Sequence, residues 1–316
     1  MTWKKVAQVS IILLSVVLLL SFVEFGQFFE LIGTLSLELI AVIILITLLR
    51  PFIAAYRCVI AHAKIKPIGL KAATTGYFIS AFASVLLPST IGGDVLRIEH
   101  MSRASGNSRS ESFGVAAAER ICGLLSLMII FLFLSIYLPN SLGYDKLVLI
   151  FVAFIVIALI SLPLMMNRYS HLLPKRIISG FESILSIGST AVIIKLMVVS
   201  FLFQVVGIGI PMFVAWELGD FHAVLVMALI TPLAAIITTI PTTIGGFGVR
   251  EASYVGLGAA MGVNSELSLL CGLSLSASML MTGVVGAFFS ADFKKHSNED
   301  KSDTRKVAVI CDDSEE

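Results

Sequence analysis

The ten residues PSTIGGDVLR at 88–97 return as PTTIGGFGVR at 241–250. Proline, threonine, isoleucine, both glycines and the final arginine match at one constant spacing (241 − 88 = 153), about half of the 316-residue chain. The apolar stretches before the two copies, Ala72–Leu87 and His222–Ile240, are short for crossing a bilayer. Such paired, Gly- and Pro-broken segments in two halves of a chain point to a transport site built on internal repeats.

The composition is that of an integral membrane protein. Hydrophobic residues make up 57% of the chain and charged residues 14%, whereas a soluble domain carries about 25% charged residues. The mean hydropathy is +0.98. The four cysteines are far apart, and no P-loop, nucleophile elbow or zinc pattern occurs. We therefore expect no metal, no cofactor and no nucleic-acid partner.

Six segments are apolar and long enough to span the hydrocarbon core. They are Val6–Val23, Leu37–Ala61, Ser112–Leu138, Lys146–Met166, Ile193–Trp216 and Glu266–Ser290. Arg50-Pro51 interrupts the second segment. Two interpretations are open there: either Arg50 snorkels from a kinked helix, or the span ends near Leu49.

The distribution of Lys and Arg sets the topology, because cytoplasmic loops are enriched in both. Basic residues lie on both sides of Ala72–Leu87, which predicts that this segment enters from the cytoplasm and returns. Glu251–Glu266 contains no Lys or Arg, so the second copy is expected to enter and leave on the outer side. The predicted fold is all-α, with about six transmembrane helices and two oppositely oriented re-entrant hairpins in inverted repeats.

The predicted division follows from this topology. Residues 1–138 form membrane repeat A and 146–291 form repeat B, with hairpin motifs at 88–97 and 241–250. The polar tail, 292–316, is predicted to be a disordered cytoplasmic end. Both termini are expected in the cytoplasm, and the protein in the cytoplasmic (inner) membrane.

Each motif has the composition of irregular backbone, with residues that break a helix or permit a positive φ. A half-helix that begins after the glycines would direct free N–H groups at an anion, and an arginine would add bidentate hydrogen bonds. The candidate substrate-binding residues are Pro88, Gly92, Gly93, Arg97, Pro241, Gly245, Gly246 and Arg250. The alternative is a pair of tight turns with arginines that snorkel to an interface.

Four carboxylate or arginine positions complete the candidate set. Asp94 occurs only in the first copy, and it either pairs with an arginine, carries a coupling proton or caps a helix. Glu251 follows Arg250 directly and either neutralises it or binds substrate. Glu119 and Arg120 lie inside the third span, where adjacent residues do not face each other, so each needs its own partner unless both lie at the headgroup level.

These motifs resemble the lysylphosphatidylglycerol synthase transmembrane region family, also described as the flippase-like domain. The resemblance rests on Leu87-Pro88 to Arg97, on Ala118-Glu119-Arg120 and on Pro241 to Glu251. In two-part bacterial enzymes of that family, the domain is implied to flip aminoacylated phosphatidylglycerol, which a separate C-terminal domain makes from aminoacyl-tRNA. This chain continues past Ser290 only as a short tail, so we expect no synthase part and no lysyl transfer.

Three functional hypotheses follow. The first is a flippase-like transporter that moves an anionic lipid or a polyprenyl-phosphate glycolipid headgroup, with membrane lipids and a separate lipid-modifying or glycan-assembly enzyme as partners. The second is a membrane enzyme, or a subunit of one, acting on a lipid-linked phosphate. The third is an assembly scaffold. Activity that depends on added metal would favour the second, because Mg²⁺ sites combine carboxylates with substrate phosphates.

Overall fold

The described residues of the computed structural model are 24–63, 65–86, 90–135, 190–238 and 246–312. Their regular structure is entirely helical. We number the helices α1 (Phe25–Gly33), α2 (Leu37–His62), α3 (Leu70–Leu86), α4 (Thr90–Ser105), α5 (Arg109–Ser135), α6 (Thr190–Leu218), α7 (Phe221–Ile237), α8 (Val249–Ala260) and α9 (Ser265–Asp312). The predicted spans Val6–Val23 and Lys146–Met166 lie outside the described residues.

Four helices are long and apolar enough to cross a membrane: α2, α5, α6 and the Ser265–Ser290 part of α9. This finding confirms the four predicted spans that fall on described residues. Large apolar side chains on these helices remain exposed, such as Leu45 at 66% and Phe288 at 75%. Water would disfavour so much exposed apolar surface, whereas lipid tails accommodate it.

The two helices before the motifs are shorter. α3 and α7 each have 17 residues, and α7 is buried along most of its length, with Val226, Met227, Leu229 and Ile230 fully enclosed. Asp220 caps α7 by accepting a hydrogen bond from the Ala223 N–H at 2.8 Å. α7 is therefore an apolar helix enclosed by other helices of the described chain.

The order of the described helices repeats. From α2 to α5, a long helix is followed by a 17-residue helix, the motif, a further helix and a second long helix. The same order is found from α6 to α9. The spacing of 153 carries the start of α2, Leu37, onto the start of α6, Thr190.

The packing of these helices also repeats when the halves are exchanged. α3 packs on α9 as α7 packs on α5, α4 on α5 as α8 on α9, and α2 on α3 as α6 on α7, while α2 and α6 pack on each other. Each of these contacts between described helices therefore has a counterpart between the corresponding helices of the other half.

The structure decides between the two interpretations at Arg50-Pro51. α2 continues through Pro51, so the span does not end near Leu49. Packing against α6 and α3 holds the helix together across a residue that lacks an N–H donor. α9 continues to Asp312, into the tail for which composition predicted disorder, and that disorder stays a prediction.

Candidate functional site

The first motif joins α3 to α4, and the helix begins earlier than expected. α4 starts at Thr90, so Gly92 and Gly93 lie inside its first turns and do not precede it. The expectation that the half-helix begins after the glycines is wrong for this copy. A Cβ on Gly93 would lie 2.5 Å from the Ser80 carbonyl oxygen and would overlap the Ser84 hydroxyl. Gly93 therefore allows α4 to approach α3 closely.

The second motif matches the expectation better. α8 begins at Val249, and Gly246 and Gly248 before it have φ angles of 79° and 80°. Other residues adopt such angles only with strain. The second copy contains one more glycine than the first, at position 248, and the turn there delays the start of the helix. The Gly248 N–H donates to Glu251 Oε2 at 2.6 Å, so the protein's own carboxylate satisfies one of the free N–H groups.

Glu119 organises the polar cluster beside the first motif. Its side chain is 1% exposed, and its carboxylate accepts hydrogen bonds from Tyr77 Oη at 2.7 Å and Arg97 Nη1 at 2.8 Å. Arg57 Nε lies 3.5 Å from the same carboxylate. The Arg97 guanidinium also lies over the Tyr77 ring, at 4.6 Å from its centre. Four helices, α2 to α5, thus meet at one buried carboxylate, and two arginines lie against it.

Asp94 is held by arginines on both sides. It accepts a hydrogen bond from Arg120 Nε at 2.6 Å, and Arg97 Nη2 lies 3.2 Å away. Asp94 is one turn inside α4, so it does not cap that helix. Glu119 and Arg120 therefore have separate partners, as their adjacent positions on α5 require.

A second polar cluster lies at the start of α8. Arg250 Nη1 donates to Ser276 Oγ at 2.8 Å, and the Ser276 hydroxyl donates in turn to Glu251 Oε1. Arg250 and Glu251 are both buried. Tyr254 is fully enclosed, and its hydroxyl pairs with Thr231 Oγ1 on α7 at 2.6 Å. Serine thus connects the arginine to the carboxylate here, whereas the first cluster has a direct ion pair.

Arg50 lies between the two clusters. Its guanidinium lies over the Phe203 ring of α6 at 4.6 Å, and Arg57 lies near the same ring at 5.1 Å. The buried Nε of Arg50 has no hydrogen-bond partner within the described part of the chain. Gly207 gives the side chain room, since a Cβ there would lie 2.8 Å from Arg50 Nη2.

Two cavities meet at Arg50. Cavity A, of about 190 Å³, is lined by Arg50, Tyr77, Ser80, Ser84 and Phe203, among others. Cavity B, of about 160 Å³, is lined by Arg50, Gln204, Thr231, Thr238 and Arg250, among others. Around them the described site has five arginines (Arg50, Arg57, Arg97, Arg120 and Arg250) and three carboxylates (Asp94, Glu119 and Glu251). This excess of positive charge suits an anion.

The predicted site residues fall into three groups: those in the two polar clusters, the glycines of the motif backbones, and those outside the described residues. Asp94, Arg97, Glu119 and Arg120 meet in the first cluster, and Arg250 and Glu251 in the second. Gly92, Gly93 and Gly246 lie in the motif backbones. Pro88, Pro241 and Gly245 lie outside the described residues.

Several residues of the site were not predicted from the sequence. Arg50 was considered only in relation to where the second span ends, and no role was predicted for Arg57 or Tyr77. One signal was present, because an arginine within an apolar segment of spanning length is a functional candidate by default. Tyr77 carried no such signal, since its contact with Glu119 depends on how α3 packs against α5.

A basic surface lies at the end of α4, away from the buried clusters. Glu99 accepts hydrogen bonds from Arg109 Nε at 2.6 Å and Arg103 Nε at 2.9 Å. The hydrogen bond from Arg109 holds the pKa of the Glu99 carboxyl below its usual range; burial opposes this effect, and the hydrogen bond from Arg103 adds to it. Glu99 therefore neutralises these exposed arginines and not Arg97.

Metal ligation has no support in the part of the chain that the structure describes. No group of three or more His, Cys, Asp or Glu side chains gathers there. Cys58, Cys122 and Cys271 are buried free thiols.

The site and fold define a helical membrane protein with polar groups enclosed between two similar halves. The sequence model of one family, described as lysylphosphatidylglycerol synthase TM region, matches residues 5–286. The chain belongs to this family, which places it among membrane proteins of lipid-related processes. No curated protein and no solved structure matches the chain.

Proposed function

We propose that this protein is a flippase-like transporter that moves an anionic lipid headgroup, of a phospholipid or a polyprenyl-phosphate glycolipid, across the cytoplasmic membrane. One observation carries the proposal. Two buried arginines, Arg97 and Arg250, hold equivalent positions of the two motifs, and a third, Arg50, lies between them where two cavities meet. Buried arginines are costly in a membrane and are typical of substrate pathways.

We propose that the two motif-bearing helix pairs, α3–α4 and α7–α8, are re-entrant hairpins of opposite orientation. α3 and α7 are too short to be ordinary spans and are enclosed by other helices. Irregular backbone at membrane depth is tolerated only within protein or beside water. The basic loops support a cytoplasmic side for the first hairpin and both termini, and the exchange of packed helix pairs supports a two-fold relation between the repeats.

In this mechanism the headgroup occupies the cavities while the tails stay outside them, against apolar surroundings. Arg97 is neutralised by Glu119 and Asp94 and lies over the ring of Tyr77, which lines cavity A, so it positions the wall of that cavity. Arg250 lines cavity B directly. Rocking of one repeat against the other then exposes the headgroup to either side in turn. The lipid would come from, or pass to, a separate lipid-modifying or glycan-assembly enzyme.

The proposal is tested by flipping of fluorescent phosphatidylglycerol and of a fluorescent polyprenyl-phosphate analogue in proteoliposomes. Wild-type protein should speed the flipping of at least one of them over protein-free vesicles, and Arg250→Ala should abolish it. Arg109→Ala is the matched control. The Arg109 side chain is 76% exposed, and within the described chain its ion pair is with Glu99.

Each variant must first elute as a single folded species, so that loss of flipping is not loss of structure. Arg250→Ala leaves Glu251 with its bonds from Ser276 and Gly248, so folding should survive. Wild-type protein that is folded but flips neither lipid would refute transport. Normal flipping by Arg250→Ala would refute the placement of the site.

A further inference from the structure

Arg50 has the features of a ligand-binding cation and lacks those of a structural one. A structural buried arginine is paired with a carboxylate, as Arg97 is with Glu119. Arg50 has no ion pair within the described chain, and its nearest charged neighbours include Arg57 and Arg250. Its guanidinium instead lies over the Phe203 ring. Burial of a cation without a counter-charge is costly, so an anion that arrives there is strongly stabilised.

An apolar groove of about 360 Å³ runs between α2 and α9 and ends at cavity A. Aliphatic side chains line most of it, among them Leu39, Ile43, Leu273 and Met281. At its end Thr47 and Ser278 line both the groove and cavity A, where Arg50 is found. An apolar channel that leads to an uncompensated cation matches the two parts of an acidic lipid.

We propose that Arg50 binds the phosphate of the transported lipid while one acyl or prenyl chain lies in the α2–α9 groove. This inference rests on the proposed function and adds to it the residue that binds the phosphate and the path of the tail. Because Arg50 lines both cavities, the phosphate can pass from cavity A to cavity B without losing its counter-charge. The groove should also make the site bind a lipid more tightly than a free anion, because inorganic phosphate has no apolar chain to bury there.

Lipid binding to the purified full chain in detergent, measured by native mass spectrometry, tests this assignment. Dioleoyl phosphatidic acid and dioleoylglycerol differ only in the phosphate, and wild-type protein should prefer the former. Arg50→Gln should lose that preference by roughly tenfold or more, the contribution of hydrogen bonds to a charged group. Arg50→Lys should retain part of it, because it keeps the charge without the bidentate geometry. Inorganic phosphate should not displace the bound lipid.

The groove has its own matched pair of variants on α9. Ala277→Trp fills the groove and should weaken binding of both lipids, whereas Val284→Trp, at a 63% exposed position that does not line the groove, should leave binding unchanged. An unchanged preference in Arg50→Gln, or equal binding by the two tryptophan variants, would overturn the inference, even if wild-type protein flips lipid. The reverse result, Arg50-dependent binding without flipping, would retain the binding site and refute the transporter.

Discussion

The guanidinium of Arg50 lies 4.6 Å from the centre of the Phe203 ring, and these residues hold the same position in the two repeats (203 − 50 = 153). The motif spacing therefore pairs a cation on α2 with an aromatic ring on α6, and the two side chains are in contact. Arg57, also on α2, lies near the same ring at 5.1 Å.

This correspondence makes an exchange of the two side chains informative. Arg50→Phe should lose transport, and the double variant Arg50→Phe/Phe203→Arg should regain part of it, since α6 then supplies the guanidinium at the same place. Rates of phosphatidylglycerol flipping in proteoliposomes measure the rescue. If the folded double variant is as inactive as Arg50→Phe alone, the two positions are not functionally equivalent.

Gly207 offers a change that disturbs Arg50 alone. A methyl group at Gly207 would lie 2.8 Å from Arg50 Nη2, and this flexible side chain must move away. Gly207→Ala should therefore reduce flipping several-fold while thermal stability in detergent is kept. Gly209→Ala on the same helix is the control, because its nearest side-chain atom would lie 3.7 Å away. Equal flipping by the two variants would show that the position of Arg50 is not critical.

The helices could largely be predicted from the sequence. Hydrophobic length predicted the four spans that fall on described residues. The sequence left open whether α2 continues through Pro51, because local rules treat proline as a break whereas packing on α6 keeps the helix continuous. The start of α4 was predicted too late in the chain. Gly93 lies inside the helix, where it allows close contact with α3, and does not precede it.

The candidate site could be predicted only in part. The repeated motif identified Arg97 and Arg250, and the charge of Glu119 within a span identified that residue. The partners of these groups lie far along the chain, as with Tyr77 and Glu119, which are 42 residues apart. Such contacts depend on the packing of helices, and a single sequence carries no direct signal of it. For this reason the position of Arg50 between two cavities was not predicted.

Glu119 should be essential for stability. Glu119→Gln removes the counter-charge of Arg57 and leaves Arg97 with Asp94 alone in a buried site, at a cost of about 3–5 kcal/mol. The midpoint of thermal unfolding in detergent should fall by about 5 °C or more. In Arg97→Met/Glu119→Met the loss should be smaller than the sum of the single losses, because no unpaired charge remains between them.

Glu99→Gln is the control for that experiment. Its partners, Arg103 and Arg109, are exposed, so the unfolding midpoint should change little. Since its folded pKa is lowered, the small stability that Glu99 adds is present at neutral pH and is lost as the pH falls through that lowered pKa. Equal destabilisation by Glu99→Gln and Glu119→Gln would contradict the assignment of Glu119 as the buried counter-charge.

The close approach of α3 and α4 predicts an effect at Gly93. Gly93→Ala inserts a methyl group against the Ser80 carbonyl and the Ser84 hydroxyl, and overpacking of this kind costs about 1–3 kcal/mol. Gly256→Ala, in α8, has open space at that point and should be neutral or stabilising, because alanine favours helix. Thermal unfolding in detergent compares the two. A stable Gly93→Ala variant would mean that the two helices can separate freely.

The most direct test of the account is the rate at which fluorescent phosphatidylglycerol crosses vesicles that contain wild-type protein, Arg50→Lys or Arg50→Gln at equal copy number. We predict fast flipping by the wild type, slower flipping by Arg50→Lys and the protein-free rate for Arg50→Gln. Flipping by folded Arg50→Gln at the wild-type rate would contradict passage of the headgroup through the site between the repeats.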